Sequence, residues 1–360
     1  GNLMTVVTGD RFEAGIEPRR TGNGWHRDDV TLLVGSAISS GVLTWLAFYV
    51  FTPIRNKPAL GFLWYVLFLV VYRLVISQHE GKLSARDKMF TVIIATGSLI
   101  VLTPLLFIIS YIVIKGAAGL NKDFFFKDMS STGTLDQGGG AAHAIVGTLE
   151  QVGIAILFSV PLGILTAVFL NEVKGPLRRP VRLFVDAMSG VPSIVAGLFI
   201  YSVWIIQFDH DFSGFAAALA LSVLMLPSIT RTSEEVLRLV PDGLREASLA
   251  LGSTEWRTRW SVVLPTARAG LVTSVVLGIA RAVGETAPLI MTSFGNSAMN
   301  ANPMNGPQQS LPLFVYTLIR NPFEEQQTRA WAAALVLIVL VLVLFTTARI
   351  IGSRQLKSRR

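Results

Sequence analysis

Cysteine is absent from all 360 residues of the chain, and histidine occurs only four times. Without thiols there is no disulfide, no thiolate metal site and no cysteine nucleophile, and cysteine usage leaves the redox compartment open. No two histidines stand at a ligand-like helical spacing, and no nucleophile and base pair or metal cluster marks an enzyme. The pattern GxxxxGK[S/T] is missing, so the chain has no phosphate-cradling loop of its own for ATP. Charge is scarce as well: 15% of residues are charged against 51% hydrophobic, with mean hydropathy +0.55. That balance excludes an ordinary soluble domain and predicts an all-α polytopic membrane protein.

Eight apolar runs stand where helices long enough to cross a hydrocarbon core of about 30 Å are expected. They cover Val30–Phe51, Ala59–Ser77, Met89–Ile114, Ala142–Leu170, Val181–Ile206, Phe212–Thr230, Thr266–Phe294 and Trp331–Ile351. The first carries small residues four apart (Gly35 with Ser39, Ser36 with Ser40, Ala37 with Gly41), a face another helix can approach closely. Pro161 predicts a kink or discontinuity in the fourth, and Gly190, Pro192, Ser193 and Gly197 predict broken backbone or close packing in the fifth. The stretch Leu311–Ile319 reads as a short helix outside the membrane.

The net charge of +8 is spread over the loops, so it is a topology signal rather than a nucleic-acid footprint. Lys82, Arg86 and Lys88, then Lys174, Arg178, Arg179 and Arg182, then Arg238, Arg245, Arg257 and Arg259 fall in alternate loops, and a basic tail follows the last run. Both termini are therefore expected in the cytoplasm. Gly1, Asn2 and Leu3 precede Met4 and resemble an expression scar, and residues 1–29 read as a disordered cytoplasmic tail without a signal peptide. The expected organisation is this tail, an additional two-span segment at 30–88, a core at 89–352 with a polar loop at 231–265, and a basic cytoplasmic tail at 353–360.

The stretch Leu244 to Leu289 concentrates the chemistry. Asp242 is placed to cap a helix over Gly243–Leu251 that Gly252 stops in a left-handed conformation, and Ser253 or Thr254 is placed to cap a second. On the first helix Leu244, Ala247 or Ser248, and Leu251 share a face suited to a groove on a partner. Trp256 and Trp260 give the second an interfacial anchor. Arg281 follows Pro265 by sixteen residues, about 24 Å up a helix. At that depth an arginine costs about 2.5 to 3.5 kcal/mol, so it faces the bundle interior or an aqueous path. Glu285, four residues on, shares its face. The pair either holds a passing anion, with Glu285 preventing a trap, or simply joins helices.

Glu246 and Ala247, Gly252 five residues later, and Val262, Leu264 and Pro265 reproduce the spacing of the loop that couples type I ATP-driven importer permeases to their ATPases; Ser248 replaces the second alanine. The run from Ala280 to Leu289 (ARAVGETAPL), with GVPSIVAGLFIY from Gly190 and LPSITRTSEEVLRLVP from Leu226, resembles phosphate-specific importer permeases, the PstA kind more than the PstC kind. This resemblance implies about eight transmembrane helices with a six-span type I permease core. It implies Leu244, Glu246, Ala247, Leu251 and Gly252 as the coupling contact, and Arg231 beside Arg281 and Glu285 as an anion-path residue. Arg231 has the alternative of snorkelling or pairing with Glu234 or Glu235. Also implied are a PstC-like permease, two PstB-like ATP-binding subunits, a PstS-like phosphate-binding protein, and a bacterial inner (plasma) membrane location. No cofactor is expected on this chain, with ATP and Mg in the partner subunits. Other oxyanions, sulfate or molybdate, stay open as cargo, and a channel or secondary transporter using the Arg281 and Glu285 pair is the reading of a different class.

Overall fold

The computed structural model describes residues 27–51, 57–136 and 138–357. The expected tail over residues 1–26, the turn at 52–56 and the last three residues lie outside that set. Residues 27–29 open the first helix, and 353–357 continue the last. Among the described residues, seven helices are long and apolar enough to cross a membrane, and one bent pair makes an eighth crossing if counted as one span. Two compact units divide the chain, residues 1–107 and 108–360, with the division inside the third helix.

The first unit holds α1 (Arg27–Phe51), α2 (Lys57–His79) and the start of α3 (Lys82–Ala118). Of the small-residue rows on α1, the one that packs runs through Ser36, Ser40 and Thr44, all buried, whereas Gly35 and Ser39 stay exposed. Thr44 Oγ1 donates to Ser40 O (2.8 Å) and Ser40 Oγ to Ala37 O (2.9 Å), which satisfies these hydroxyls inside their own helix. Trp64 of α2 donates to the same carbonyl at 3.1 Å. Gly81, at φ +91°, leaves almost no link between α2 and α3, where the sequence predicted a polar loop from Gln78 to Lys88. Lys88 closes the end of the unit by pairing with Asp29 and Glu80 (2.6 Å).

In the second unit, the rest of α3 is followed by α4 (Lys122–Phe126) and α5 (Ala142–Glu172). Pro161 does not interrupt α5, contrary to a discontinuity there. Two residues on, Gly163 lies so close to Ile229 that a Cβ would sit 2.9 Å from Ile229 Cγ2, and the helix runs unbroken past the proline along a tight seam. The partner in the seam is α8 (Gly214–Arg238), whose Leu221, Met225 and Ile229 are buried with Val152 and Ala155 of α5.

Between them the fifth run is broken. Here α6 (Arg178–Ser189) and α7 (Ser193–Ile200), which continues as a π-helical turn to Gln207, meet at 106° around Gly190 to Pro192. The polar loop carries α9 (Asp242–Ala250) and α10 (Glu255–Thr258), which runs through a second π-helical turn into α11 (Leu264–Val283). Then come α12 (Ala287–Thr292), the short helix α13 (Leu311–Ile319) where the sequence placed one, and α14 (Glu324–Lys357).

Candidate anion path and coupling surface

The seventh run was expected to be continuous, with Arg281 and Glu285 on one helix face. Instead α11 stops at Val283 and α12 starts at Ala287, so Gly284, Glu285 and Thr286 form a break between them. Arg281 occupies the last turn of α11, where the negative end of the helix dipole favours a cation. Across the break Arg281 Nε stands 3.6 Å from Glu285 Oε1; the arginine side chain is 54% exposed and the carboxylate 18%. The pairing survives the break, and its arginine faces outward.

The two broken runs touch each other. Gly197 of α7 lies against Pro288 of α12 so closely that a Cβ there would stand 2.6 Å from Pro288 Cα. Only a residue without Cβ permits this approach. The sequence predicted close packing around Gly197 but not its partner, three residues beyond Glu285. Discontinuous helices meeting beside a charged pair are the arrangement in which membrane proteins expose backbone and charge to a transported ion.

Arg231 is held differently from either sequence alternative. It pairs with Asp186 of α6, while Glu234 pairs with Arg182 and with Arg238 (2.6 Å) and is itself 2% exposed. Asp186 went unnoticed in the sequence, although an acid inside the apolar run Val181–Ile206 was the available signal. The helices give relative heights: Gly278 of α11 packs on Ile229, and Gly270 on Val236, so α8 and α11 run antiparallel. Arg231 lies two residues to one side of that level and Arg281 three to the other, a separation of roughly 7.5 Å along the axis. The structure thus holds two arginine and carboxylate pairs at successive depths.

On the polar loop, Asp242 is not a cap. Pro241 takes the N-cap position, and Asp242 sits in the first turn, accepting from Arg245 Nη1 at 2.9 Å. The proline's extended backbone (ψ 136°) already turns the chain into the helix, so no capping side chain is used. Gly252 does end the helix, at φ +82°, and Thr254 does cap α10, accepting from Arg257 N. Leu244, Glu246, Ala247, Leu251 and Gly252 are all exposed, Leu251 to 87%. Leu239 is exposed too, and Leu249 borders a cavity beside Arg245 and Glu172. The Trp256 and Trp260 rings lie 5.4 Å apart, tilted at 58°, and both are exposed.

A family model described as binding-protein-dependent transport system inner membrane component matches residues 159–357, which contain both arginine pairs and the polar loop. Among curated proteins, phosphate transport system permease protein PstA 1 of Mycobacterium tuberculosis is 40% identical over 81% of this chain and 94% of its own length. PstA of Mycobacterium leprae is 41% identical over 71% and 85%, and PstA of Pasteurella multocida 36% over 70% and 89%. Among solved structures, a bacterial alginate ABC transporter chain shares the fold, with TM-score 0.55 and 17% identity over 75% of this chain and 95% of that one. The chain therefore belongs to the binding-protein-dependent transport system inner membrane component family, as a PstA-like, multi-pass permease subunit rather than an ATPase.

Proposed function

We propose that the chain is the PstA-type permease of an ATP-driven importer that carries inorganic phosphate into the cytoplasm. Its expected assembly pairs it with a PstC-like permease, two PstB-like ATP-binding subunits and a PstS-like binding protein in a bacterial plasma membrane, both termini cytoplasmic. ATP and Mg belong to the partners. The observation that carries the reading is Arg281 at the end of a broken helix, paired at 3.6 Å with Glu285 and more than half exposed. A guanidinium at that depth does not face lipid, so its open side belongs to a path completed by a second permease. There it attracts an oxyanion, and Glu285 competes for the guanidinium so that the anion leaves again. Arg231, with Asp186 as its carboxylate, is a second station on the same axis.

Motion reaches this path from the loop. In this reading Leu244, Glu246, Ala247, Leu251 and Gly252 meet the ATP-binding subunit, and closure of the ATPases switches the permeases between two states. Residues 30–88 form an addition to a core over 89–352, with the coupling loop at 231–265. The test is uptake by the reconstituted complex. Arg281→Gln is expected to abolish phosphate uptake while the complex still assembles, and normal uptake refutes the path. Stimulation of ATP hydrolysis by phosphate and not by sulfate is expected of the assembled complex, and the opposite result changes the cargo.

A further inference from the structure

One side chain of the coupling helix α9 reaches the ends of two spans at once. Arg245 of α9 sends Nη1 to Val240 O (2.7 Å) and Asp242 Oδ1 (2.9 Å). Its Nη2 reaches Leu237 O (3.2 Å) and Glu172 Oε1 (2.9 Å). Leu237 lies in the last turn of α8, Val240 two residues beyond its end, and Glu172 is the last residue of α5. Arg259, just beyond α9, donates to Glu172 O at 3.0 Å, so the end of α5 receives a second guanidinium. Helix C-termini present unpaired carbonyls and a partial negative charge, and both cations sit where that field is strongest.

Burial makes the connection firm. Glu172 is 9% exposed and Arg245 19%, beside a cavity of about 500 Å³ that Lys174, Leu249 and Thr258 also line. A charge-assisted bond of this kind, between a carboxylate and a guanidinium with three further acceptors, holds direction as well as distance. The two helices it reaches are themselves locked together, through Gly163 on Ile229. A displacement of α9 therefore arrives at α5 and α8 as one body. Without the Glu172 contact, Arg245 holds only the end of α8 and its own helix, and α9 keeps its other tie through Ser248 and Thr258 of α10 (2.9 Å).

We propose that Glu172 is a positioning residue, which through Arg245 transmits the movement of α9 to α5 and, across the Gly163 and Ile229 seam, to α8, the span that carries Arg231. The inference rests on α9 being the helix that the ATPase moves. In the full reconstituted complex, Glu172→Gln is expected to leave the amount of bound ATPase and its basal hydrolysis unchanged. Substrate moved per ATP falls by about fivefold or more, the low end of ordinary coupling ratios. Arg245→Lys keeps a cation but not the fork, and gives a smaller loss in the same direction. If Glu172→Gln does not accumulate in the membrane, the lysine variant carries the test alone.

A second readout needs no cargo. The chain has no cysteine, so Lys174→Cys and Leu249→Cys can hold a pair of spin labels in a complex whose partners lack cysteine. Their distance is expected to stay narrow and constant between nucleotide-free and vanadate-trapped states, and to broaden when Glu172→Gln is added. Unchanged transport per ATP, an unbroadened distance, or loss of the ATPase from the variant complex each overturns the proposal. A complex that hydrolyses ATP yet takes up no phosphate instead defeats the proposed cargo, and the label distance still decides this inference.

Discussion

Gly197→Ala is the smallest change that reaches the proposed path from outside it. The added Cβ meets Pro288 Cα at 2.6 Å and Pro288 O at 3.0 Å. Carbon atoms settle at about 3.5 to 4.0 Å, so α7 and α12 must part by about 1 Å. Both obstacles are backbone atoms, and no side-chain rotation relieves them. Overpacking of this kind costs about 1–3 kcal/mol. Pro288 lies three residues from Glu285, so the same 1 Å carries the carboxylate away from Arg281, where the pair already stands at 3.6 Å. If the cost falls on one of two transport states, the population shift is about 5- to 150-fold.

The assay is phosphate uptake by cells making equal amounts of wild-type or variant complex, with thermal unfolding of the purified complex alongside. Gly190→Ala, whose Cβ has its nearest neighbour at 3.6 Å, and Gly153→Ala, with nothing within 4 Å, are the controls and are expected to be silent. Uptake and unfolding of Gly197→Ala that match these controls would refute the close approach.

Leu251→Asp is expected to leave the permease folded but to weaken retention of the ATP-binding subunit on purification, because the side chain is almost fully exposed in the isolated chain. Burying a leucine contributes about 1.5–3 kcal/mol, so the loss is roughly 10- to 150-fold in affinity; unaltered retention removes Leu251 from the contact. On the loops, hydrogen bonds from Ser130 Oγ, Met299 N and Ser130 N hold the Asp128 carboxyl below its ordinary value of 3.8. A depressed carboxylate stabilises above the unfolded value and loses that contribution as pH falls through the folded one, so Met299 amide protection should persist to below pH 3.8 and then fade. Asp128→Ala is expected to lose it at neutral pH, and protection that ignores both changes is the contrary result.

Helix existence was legible because membrane-spanning helices write themselves as long apolar runs, and seven of the eight runs contain a helix long enough to cross. Breaks were legible where several signals coincided. Gly190 with Pro192 announced the 106° bend, whereas Pro161 alone announced a kink or discontinuity, and the helix runs on through it. Gly284 and Pro288 were visible beside the charges, yet they read as a kinkable helix and proved to frame a complete break. Partners across helices were the least legible part. Nothing local joins Arg231 to Asp186, or Arg245 to Glu172 some seventy residues earlier; those pairs are set by how helices stack. The helices of the polar loop were legible because a left-handed glycine and a threonine cap are local signals, whereas the cap expected of Asp242 went to Pro241.

One helix has a length that the bilayer does not require. At 37 residues, α3 extends about 55 Å, while the hydrocarbon core is about 30 Å thick. Its apolar stretch is long and its first turns hold Lys82, Arg86, Asp87 and Lys88, so the excess stands in water at its start. Such a rod tolerates membranes of different thickness by tilting or sliding, at a cost of fractions of a kcal/mol per Å. This span can therefore follow changes in lipid length that would strain a shorter one.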